Sequence, residues 1–368
     1  MRFLLVVPPL AGHVAPLRGV AAALVRRGHS VAWCGPCPEL STLVSGRVFP
    51  AGDSGPFAVA LRPPGLRGFA ALKYLWESYL VPLADAMVPG VAAAVTAFAP
   101  DVVVVDQQAM AGALVAARCG LPWATSASTS TELADPLGAL PKIASWVAQL
   151  QAGLRARHGV VVGDLRFSPH LVLAFTTRAL AGDSRWPVAY VGPVPAPAAG
   201  EWSPVDDRPL VVVTLGTSNA AAGGRFLAES LDALAAMPAV QGLVVDPSGA
   251  LVSGTVGLAR RIPQVAVFAR ASVVVCHGGH NTVCEALAAG VPLVVAPIRD
   301  DQSMLAQQVV AAGAGVRLRF DRAKAADIRT AIESAPDFAD GAARIRESFE
   351  AAGGAEEAAT RLESLANP

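Results

Sequence analysis

A histidine and an aspartate stand directly after apolar runs in the first third of the chain. His13 follows the run of residues 2–7, and Asp106 follows the four valines of residues 102–105. An imidazole with a pKa of about 6.5 can accept a hydroxyl proton at neutral pH. A carboxylate that hydrogen bonds its other nitrogen fixes the tautomer of the ring. We therefore interpret His13 as a general base and Asp106 as its partner. The alternative is that His13 only hydrogen bonds the backbone of its own loop.

The second constellation lies in residues 272–302, where strand, glycine turn, helix, strand and polar loop follow one another. Residues 272–276 (SVVVC) form a β-branched run typical of a buried parallel strand. Two glycines end the run and let the backbone approach a ligand closely. The backbone amides and the positive end of the following helix suit a diphosphate, without the GxxxxGK[ST] loop of the P-loop NTPases. The residues assigned to this turn are His277, Gly278, Gly279, Asn281 and Thr282.

In its residue order this stretch resembles the nucleotide-sugar signature of family 1 glycosyltransferases with the GT-B fold, especially bacterial enzymes that glycosylate natural products. The family pattern places a His-Gly-Gly turn, a helix with a glutamate, a Gly-Val-Pro step and an Asp-Gln pair in this order. The matching positions are His277-Gly278-Gly279, Glu285, Gly290-Val291-Pro292 and Asp301-Gln302. The resemblance implies an α/β protein with two Rossmann-like, doubly wound domains that face each other across a cleft.

The resemblance also implies roles for residues outside that stretch. The family has its catalytic histidine in a Gly-His-Val turn, which here is Gly12-His13-Val14, and an aspartate after a later strand, here Asp106. Thr217, beside Ser218, resembles the residue that donates to phosphate after the family's glycine. Ile262 and Gln264 lie in the segment that resembles the one around the base and ribose, where many relatives carry a tryptophan.

For three donor-site residues the resemblance implies contacts with sugar hydroxyl groups. Glu285 matches the position that binds the hydroxyls of the nucleoside, although it also completes a capping-box pattern that begins at Thr282. Asp301 and Gln302 match the pair that holds the donor sugar, although Asp301 is equally placed to cap the next helix. Each of these residues therefore has a structural alternative.

The strand pattern alone predicts that these residues converge. In open α/β sheets, ligands bind beyond the carboxyl ends of the strands, and each polar candidate follows an apolar, strand-like run. The Pro-rich segment of residues 193–209 separates two halves with the same α/β rhythm. We predict an acceptor-binding domain at 1–195, a linker at 196–208 and a nucleotide-sugar domain at 209–368, with the helix of residues 356–365 crossing back to the first domain.

Composition excludes several classes of partner. The chain has 368 residues with 29 basic and 29 acidic side chains, so no overall field favours nucleic acid. Its apolar residues, 53% of the total, stand in short blocks rather than in a run of about 18 that would span a membrane. The N-terminal apolar run is short and contains two prolines, unlike a signal peptide. We therefore expect a cytoplasmic protein without stable membrane insertion.

A redox alternative comes from the string Trp33-Cys34-Gly35-Pro36-Cys37, which matches the active-site string of thioredoxins. In thioredoxins the first cysteine begins a helix whose dipole stabilises the thiolate. Here the string follows a second strand in a much longer chain, which favours a turn with unrelated cysteines. The odd number of five cysteines does not suggest a disulfide framework.

The resemblance implies an inverting transfer of a deoxysugar from a dTDP- or UDP-sugar to a hydroxyl group of a small-molecule aglycone. It implies neither a metal ion nor a cofactor beyond the donor co-substrate. A UDP-sugar 2-epimerase of the same fold and a silent auxiliary binding protein are the alternatives, and the oligomeric state stays open. The aromatic segment of residues 57–79 is either a wall of the aglycone site or ordinary core.

Overall fold

The computed structural model describes residues 1–58, 61, 63, 65–66, 68–134, 137–138, 140–161, 163–195, 200–216, 220–299 and 301–366. The chain forms two compact units. The N-terminal unit comprises Met1–Thr176, Asp183–Val194 and Ala352–Pro368, and the C-terminal unit comprises Thr177–Gly182 and Pro195–Ala351. Of the predicted linker at 196–208, residues 196–199 lie outside the described residues.

Within the described chain, the N-terminal unit is built on a seven-stranded parallel sheet. Its strands are β1 (Arg2–Val6), β2 (Ser30–Cys37), β3 (Arg47–Asp53), β4 (Val102–Asp106), β5 (Trp123–Ala127), β6 (Val172–Ala174) and β7 (Val188–Tyr190), in the order β3-β2-β1-β4-β5-β6-β7. The order reverses between β1 and β4. The carboxyl ends of these two strands therefore flank the switch point at which doubly wound sheets bind ligands.

Burial on both faces explains the apolar runs of the central strands. Phe3 and Leu5 of β1 belong to one apolar cluster, and Leu4 and Val6 belong to another. Because successive side chains of a strand point to opposite faces, a sheet covered by helices on both sides needs an unbroken apolar strand. The helices of this unit before its last one are α1 (Ala11–Arg26), α2 (Glu39–Leu43), α3 (Gly68–Lys73), α4 (Val81–Phe98), α5 (Ala111–Arg118) and α6 (Pro141–Arg157) in the described chain.

One helix of the N-terminal unit reaches membrane-spanning length, although Lys73, Glu77 and Asp85 interrupt its apolar residues. α3, a π-helical segment at Tyr74–Leu80 and α4 run continuously over the 31 residues Gly68–Phe98, which are long and apolar enough to cross a membrane. Core helices of globular domains meet the same test of length and composition. In this structure Leu83, Met87 and Val91 of that helix are completely buried in the core of the N-terminal unit.

Within the described chain, the C-terminal unit is built on a six-stranded parallel sheet. Its strands are β8 (Leu210–Thr214), β9 (Gln241–Val245), β10 (Gly257–Ala259), β11 (Ala271–Cys276), β12 (Leu293–Val295) and β13 (Gly315–Arg317), in the order β10-β9-β8-β11-β12-β13. Its helices are α7 (Arg178–Ala181), α8 (Ala220–Ala235), α9 (Gln264–Phe268), α10 (His280–Ala288), α11 (Gln302–Ala311), α12 (Ala325–Ser334) and α13 (Ala339–Ala351). The order reverses between β8 and β11, so the prediction of two doubly wound α/β domains is confirmed.

The last helix of the described chain, α14 (Gly354–Ala366), belongs to the N-terminal unit, as predicted for the helix of residues 356–365. Leu362 of α14 is buried in the same apolar cluster as Leu24 of α1. The guanidinium group of Arg27 donates to the carboxylates of Glu356 and Glu363, at 2.8 Å each. Apolar packing and these ion pairs hold the C-terminal helix against α1.

Candidate functional site

His13 lies in the first turn of α1 rather than in a loop before the helix. α1 begins at Ala11, and the backbone N–H groups of His13 and Val14 both donate to the carbonyl of Leu10. The helix start therefore holds the backbone of His13 directly beyond the carboxyl end of β1. Gly12, the predicted neighbour in this turn, is exposed.

Asp106 is the final residue of β4 and contacts His13 as predicted. Its Oδ1 lies 2.9 Å from Nδ1 of His13 and accepts a second hydrogen bond, also of 2.9 Å, from the backbone N–H of Gln108. Asp106 is completely buried, and within the described chain its Oδ2 has no hydrogen-bond partner. A carboxylate oxygen at this distance requires a proton on Nδ1, which leaves Nε2 as the basic nitrogen of the neutral ring.

Ser128 is a third member of this group that the sequence interpretation did not include. Its Oγ lies 2.7 Å from Nδ1 of His13, the nitrogen that also faces Asp106. Ser128 is 5% exposed and directly follows β5, the neighbour of β4 in the sheet. The rule that selected Asp106, a polar residue after a buried strand, also points to the Ser/Thr loop of residues 126–131. No spacing within that loop distinguishes Ser128 from its neighbours.

In the C-terminal unit, the predicted glycine turn connects β11 to α10. Gly278 has a φ of +85°, which favours glycine, and Gly279 is the N-terminal cap of α10. The helix begins at His280, so Asn281 and Thr282 occupy its first turn. The first turn of a helix presents backbone N–H groups and a positive dipole end, which together bind phosphate groups.

The imidazole of His277 is enclosed by two glycines of this site. A Cβ atom on Gly279 would lie 2.4 Å from Nε2 of His277, and one on Gly216 would lie 2.9 Å from its Cε1. His277 is 7% exposed, and within the described chain its Nδ1 has no hydrogen-bond partner. Burial, with a smaller contribution from the positive charge of Arg299, lowers the pKa of His277 to about 4. The ring is therefore neutral at pH 7 and can donate from one nitrogen only.

Gln264 and Glu285 come from different elements and contact each other. Nε2 of Gln264, the first residue of α9, donates to Oε2 of Glu285 in α10 over 2.5 Å. Because Gly279 caps α10, the alternative capping box from Thr282 to Glu285 does not form. Burial raises the pKa of Glu285, and the hydrogen bond from Gln264 partly offsets this effect. Ile262 packs half-buried against the core beside them.

Gln302 is already engaged by the backbone of its own loop. Its Oε1 accepts hydrogen bonds from the N–H groups of Ile298 and Arg299, at 2.9 and 3.0 Å. These bonds hold the polar loop against the start of α11, so only the Nε2 end of this side chain can meet a sugar hydroxyl. Asp301 is the N-terminal cap residue of α11 but makes no side-chain capping hydrogen bond. Thr217 and Ser218 lie outside the described residues, and Gly216 before them has a φ of +66°.

The structure contradicts the redox interpretation of Cys34 and Cys37. Both cysteines lie in strand β2, and the following helix begins only at Glu39. Cys34 is completely buried, and this burial raises the pKa of its thiol to about 12. A thioredoxin-type cysteine needs an accessible thiolate at a helix N-terminus, and Cys34 has neither property.

The aromatic segment of residues 57–79 is partly core and partly surface. Trp76 is 1% exposed, and Phe57 packs edge-on against Tyr79. Phe69, by contrast, is 53% exposed and packs against the ring of Trp146 in α6. Residues 59, 60, 62, 64 and 67 of this segment lie outside the described residues. The rings of Trp76, Phe57 and Tyr79 therefore belong to ordinary core, whereas Phe69 lies at the surface.

Comparison with known proteins gives matches over the whole chain. Residues 239–365 match the family described as "Erythromycin biosynthesis protein CIII-like, C-terminal domain". The chain is 30% identical to the 4'-demethylrebeccamycin synthase of Lentzea aerocolonigenes over an alignment of 423 residues, which covers 99% of each chain. The fold is similar to that of the kitacinnamycin glycotransferase, with a TM-score of 0.83 and 24% identity over 99% of this chain and 98% of that chain. The glycosyltransferase VinC in complex with dTDP gives a TM-score of 0.76 and 20% identity over the full length of both chains.

Proposed function

The chain belongs to the family of GT-B glycosyltransferases of natural-product biosynthesis, and from this membership we propose that it transfers a deoxysugar from a dTDP-sugar to a hydroxyl group of a small-molecule aglycone, with inversion. The family assignment confirms the resemblance seen in the sequence and removes the epimerase interpretation. The contact between His13 and Asp106 at the switch point of the N-terminal sheet carries the mechanistic part of the proposal. We further propose that the reaction takes place in the cytoplasm.

The proposed reaction begins with proton transfer to His13. Nε2 of His13 takes the proton of the acceptor hydroxyl, while Asp106 stabilises the resulting imidazolium through Nδ1. The acceptor oxygen attacks the anomeric carbon and forms the new glycosidic bond. At the same time the bond from that carbon to the diphosphate oxygen breaks, and the electron pair leaves with the nucleoside diphosphate. Attack from the side opposite the leaving group inverts the anomeric centre.

The glycine turn before α10 is proposed to bind the leaving diphosphate. The first-turn N–H groups and the positive end of α10 stabilise the negative charge that develops as the bond breaks. A neutral His277 adds one hydrogen bond without a net charge. Glu285, oriented by Gln264, is proposed to accept hydrogen bonds from the hydroxyls of the nucleoside sugar. The amide end of Gln302, with Asp301, would then hold the transferred sugar.

The choice of dTDP over UDP rests on family context. The solved structure of VinC, similar in fold, contains dTDP. We propose the same nucleotide for the present chain, with UDP as the alternative. No metal ion is required in the proposed mechanism, because amides, His277 and the helix dipole meet the diphosphate charge.

Calorimetric titration with dTDP and with UDP, each without added metal, tests the donor site. We expect dTDP to bind, and we expect Gly279→Ala to weaken binding at least tenfold, because the new Cβ would lie 2.4 Å from Nε2 of His277. The matched control is Gly224→Ala, a helical glycine of the same unit with open space around its Cβ position. If the wild-type protein binds neither nucleotide, the proposed donor site is wrong, and tighter binding of UDP overturns the dTDP assignment.

A further inference from the structure

One nitrogen of His13 has two hydrogen-bond partners, one at the end of a strand and one just after the neighbouring strand. Nδ1 lies 2.9 Å from Oδ1 of Asp106, at the end of β4, and 2.7 Å from Oγ of Ser128, just after β5. Both partners are buried, with Asp106 0% and Ser128 5% exposed. A single carboxylate is sufficient to select a tautomer. The second, shorter contact therefore calls for a physical explanation of its own.

The chemistry of the three groups determines how the proton is shared. Carboxylate oxygen only accepts, so the proton must lie on Nδ1, and the hydroxyl oxygen of Ser128 must accept from the same N–H group. The result is a three-centre hydrogen bond in which Asp106 and Ser128 share one donor. This donor becomes stronger when Nε2 takes up a proton, because hydrogen bonds from a charged group are roughly twice as strong as neutral ones.

We propose that Ser128 is a positioning residue for glycosyl transfer, because it accepts part of the Nδ1 proton of His13 and so stabilises the imidazolium formed when Nε2 takes the acceptor proton. The second partner also adds to the restraint that Asp106 places on rotation of the ring about its Cβ–Cγ bond. The inference rests on the proposed role of His13 as general base. It adds to that role a residue that acts through the imidazole rather than on the substrate.

The arrangement of Asp106 makes a second acceptor useful. One of its oxygens serves both His13 and the backbone N–H of Gln108, and the other has no hydrogen-bond partner in the described chain. Because Oδ1 of this buried carboxylate also accepts from Gln108, only one of its two hydrogen bonds stabilises the imidazolium. Ser128 supplies a hydroxyl dipole at the same nitrogen without adding another buried charge, which would be costly to desolvate.

The test compares Ser128→Ala with Ser126→Ala. Ser126 is also completely buried and lies two residues earlier in β5, and its hydroxyl has no hydrogen-bond partner within the described part of the chain. For Ser128→Ala we expect the acid limb of kcat/KM to move to lower pH by about half a unit and its plateau to fall roughly fivefold. Removing an acceptor from the imidazolium lowers the pKa of His13 and makes it a weaker base. Ser128→Thr, which keeps the hydroxyl, should restore the plateau, and Ser126→Ala should leave both quantities unchanged.

Nitrogen-15 NMR of the His13 ring measures the same effect without catalysis. In the wild-type protein we expect the proton on Nδ1 and a ring pKa that falls in Ser128→Ala but not in Ser126→Ala. An unchanged ring pKa, or a shift to higher values as expected if Ser128 donates to a bare Nδ1, would overturn the inference. If the wild-type protein transfers no sugar but its ring pKa responds to Ser128→Ala, the proposed function fails while the hydrogen-bond assignment stands.

Discussion

Replacement of Asp106 by asparagine tests the His13–Asp106 pair most directly, because the two side chains have nearly the same shape. The backbone N–H of Gln108 donates to Oδ1 over 2.9 Å, so the amide oxygen of the variant should occupy this position and the amide nitrogen that of Oδ2. The oxygen still accepts from Nδ1 of His13, and the tautomer should be retained. The change therefore removes the negative charge and leaves the ring orientation in place.

The expected loss follows from the charge interaction in the transition state. Two unit charges about 4 Å apart interact by about 4 kcal/mol at an effective dielectric constant of about 20, which corresponds to roughly a thousandfold in rate. The new amide N–H₂ takes the place of Oδ2, which has no hydrogen-bond partner in the described chain, so the variant exchanges one buried unpartnered polar atom for another. We therefore expect kcat/KM to fall by about 10² to 10³.

The assay is nucleotide-sugar consumption with a hydroxylated aglycone, at a temperature where urea titration shows the variant to be folded. The control is Asp101→Asn, directly before β4, where an exposed carboxylate accepts from the backbone N–H of Arg2. This control should keep its wild-type rate. A loss below tenfold in Asp106→Asn would show that its charge does not stabilise an imidazolium, and the dyad would be refuted.

Two further predictions concern His277 and Cys34. The pKa of His277 is lowered to about 4 in the folded state. In the unfolded chain the same imidazole has a pKa of about 6.5, so between these pH values the unfolded state binds a proton that the folded state does not. The free energy of unfolding should therefore fall by up to about 3 kcal/mol as the pH is lowered from about 6.5 to about 4. Urea titrations across this range should show a shallower pH dependence for His277→Gln, and an identical dependence would contradict the assignment. Burial raises the pKa of Cys34 to about 12; iodoacetamide at pH 8 should therefore label exposed Cys119 but not Cys34 in the native protein, as checked by peptide mass spectrometry. Equal labelling rates would revive the redox interpretation.

The sequence alone was enough to predict the elements that contain local chemistry. The turn at His277, Gly278 and Gly279 was identified because glycine and histidine are next to each other in the chain, and the backbone needs φ above zero there. Asp106 was paired with His13 because parallel strands bring their carboxyl ends to one edge of a sheet, whichever residues lie between. Such predictions depend on position along a strand and not on the packing of individual side chains.

Only the tertiary structure decided which partner each side chain selects. The contact of Ser128 with His13 and the pairing of Gln264 with Glu285 both join atoms through packing between elements. The burial that raises the pKa of Cys34 likewise comes from its position inside a sheet, which the CGPC string does not reveal. Hydrogen-bond partners are chosen at a scale of tenths of an ångström, and residue order along the chain does not determine distances of that size.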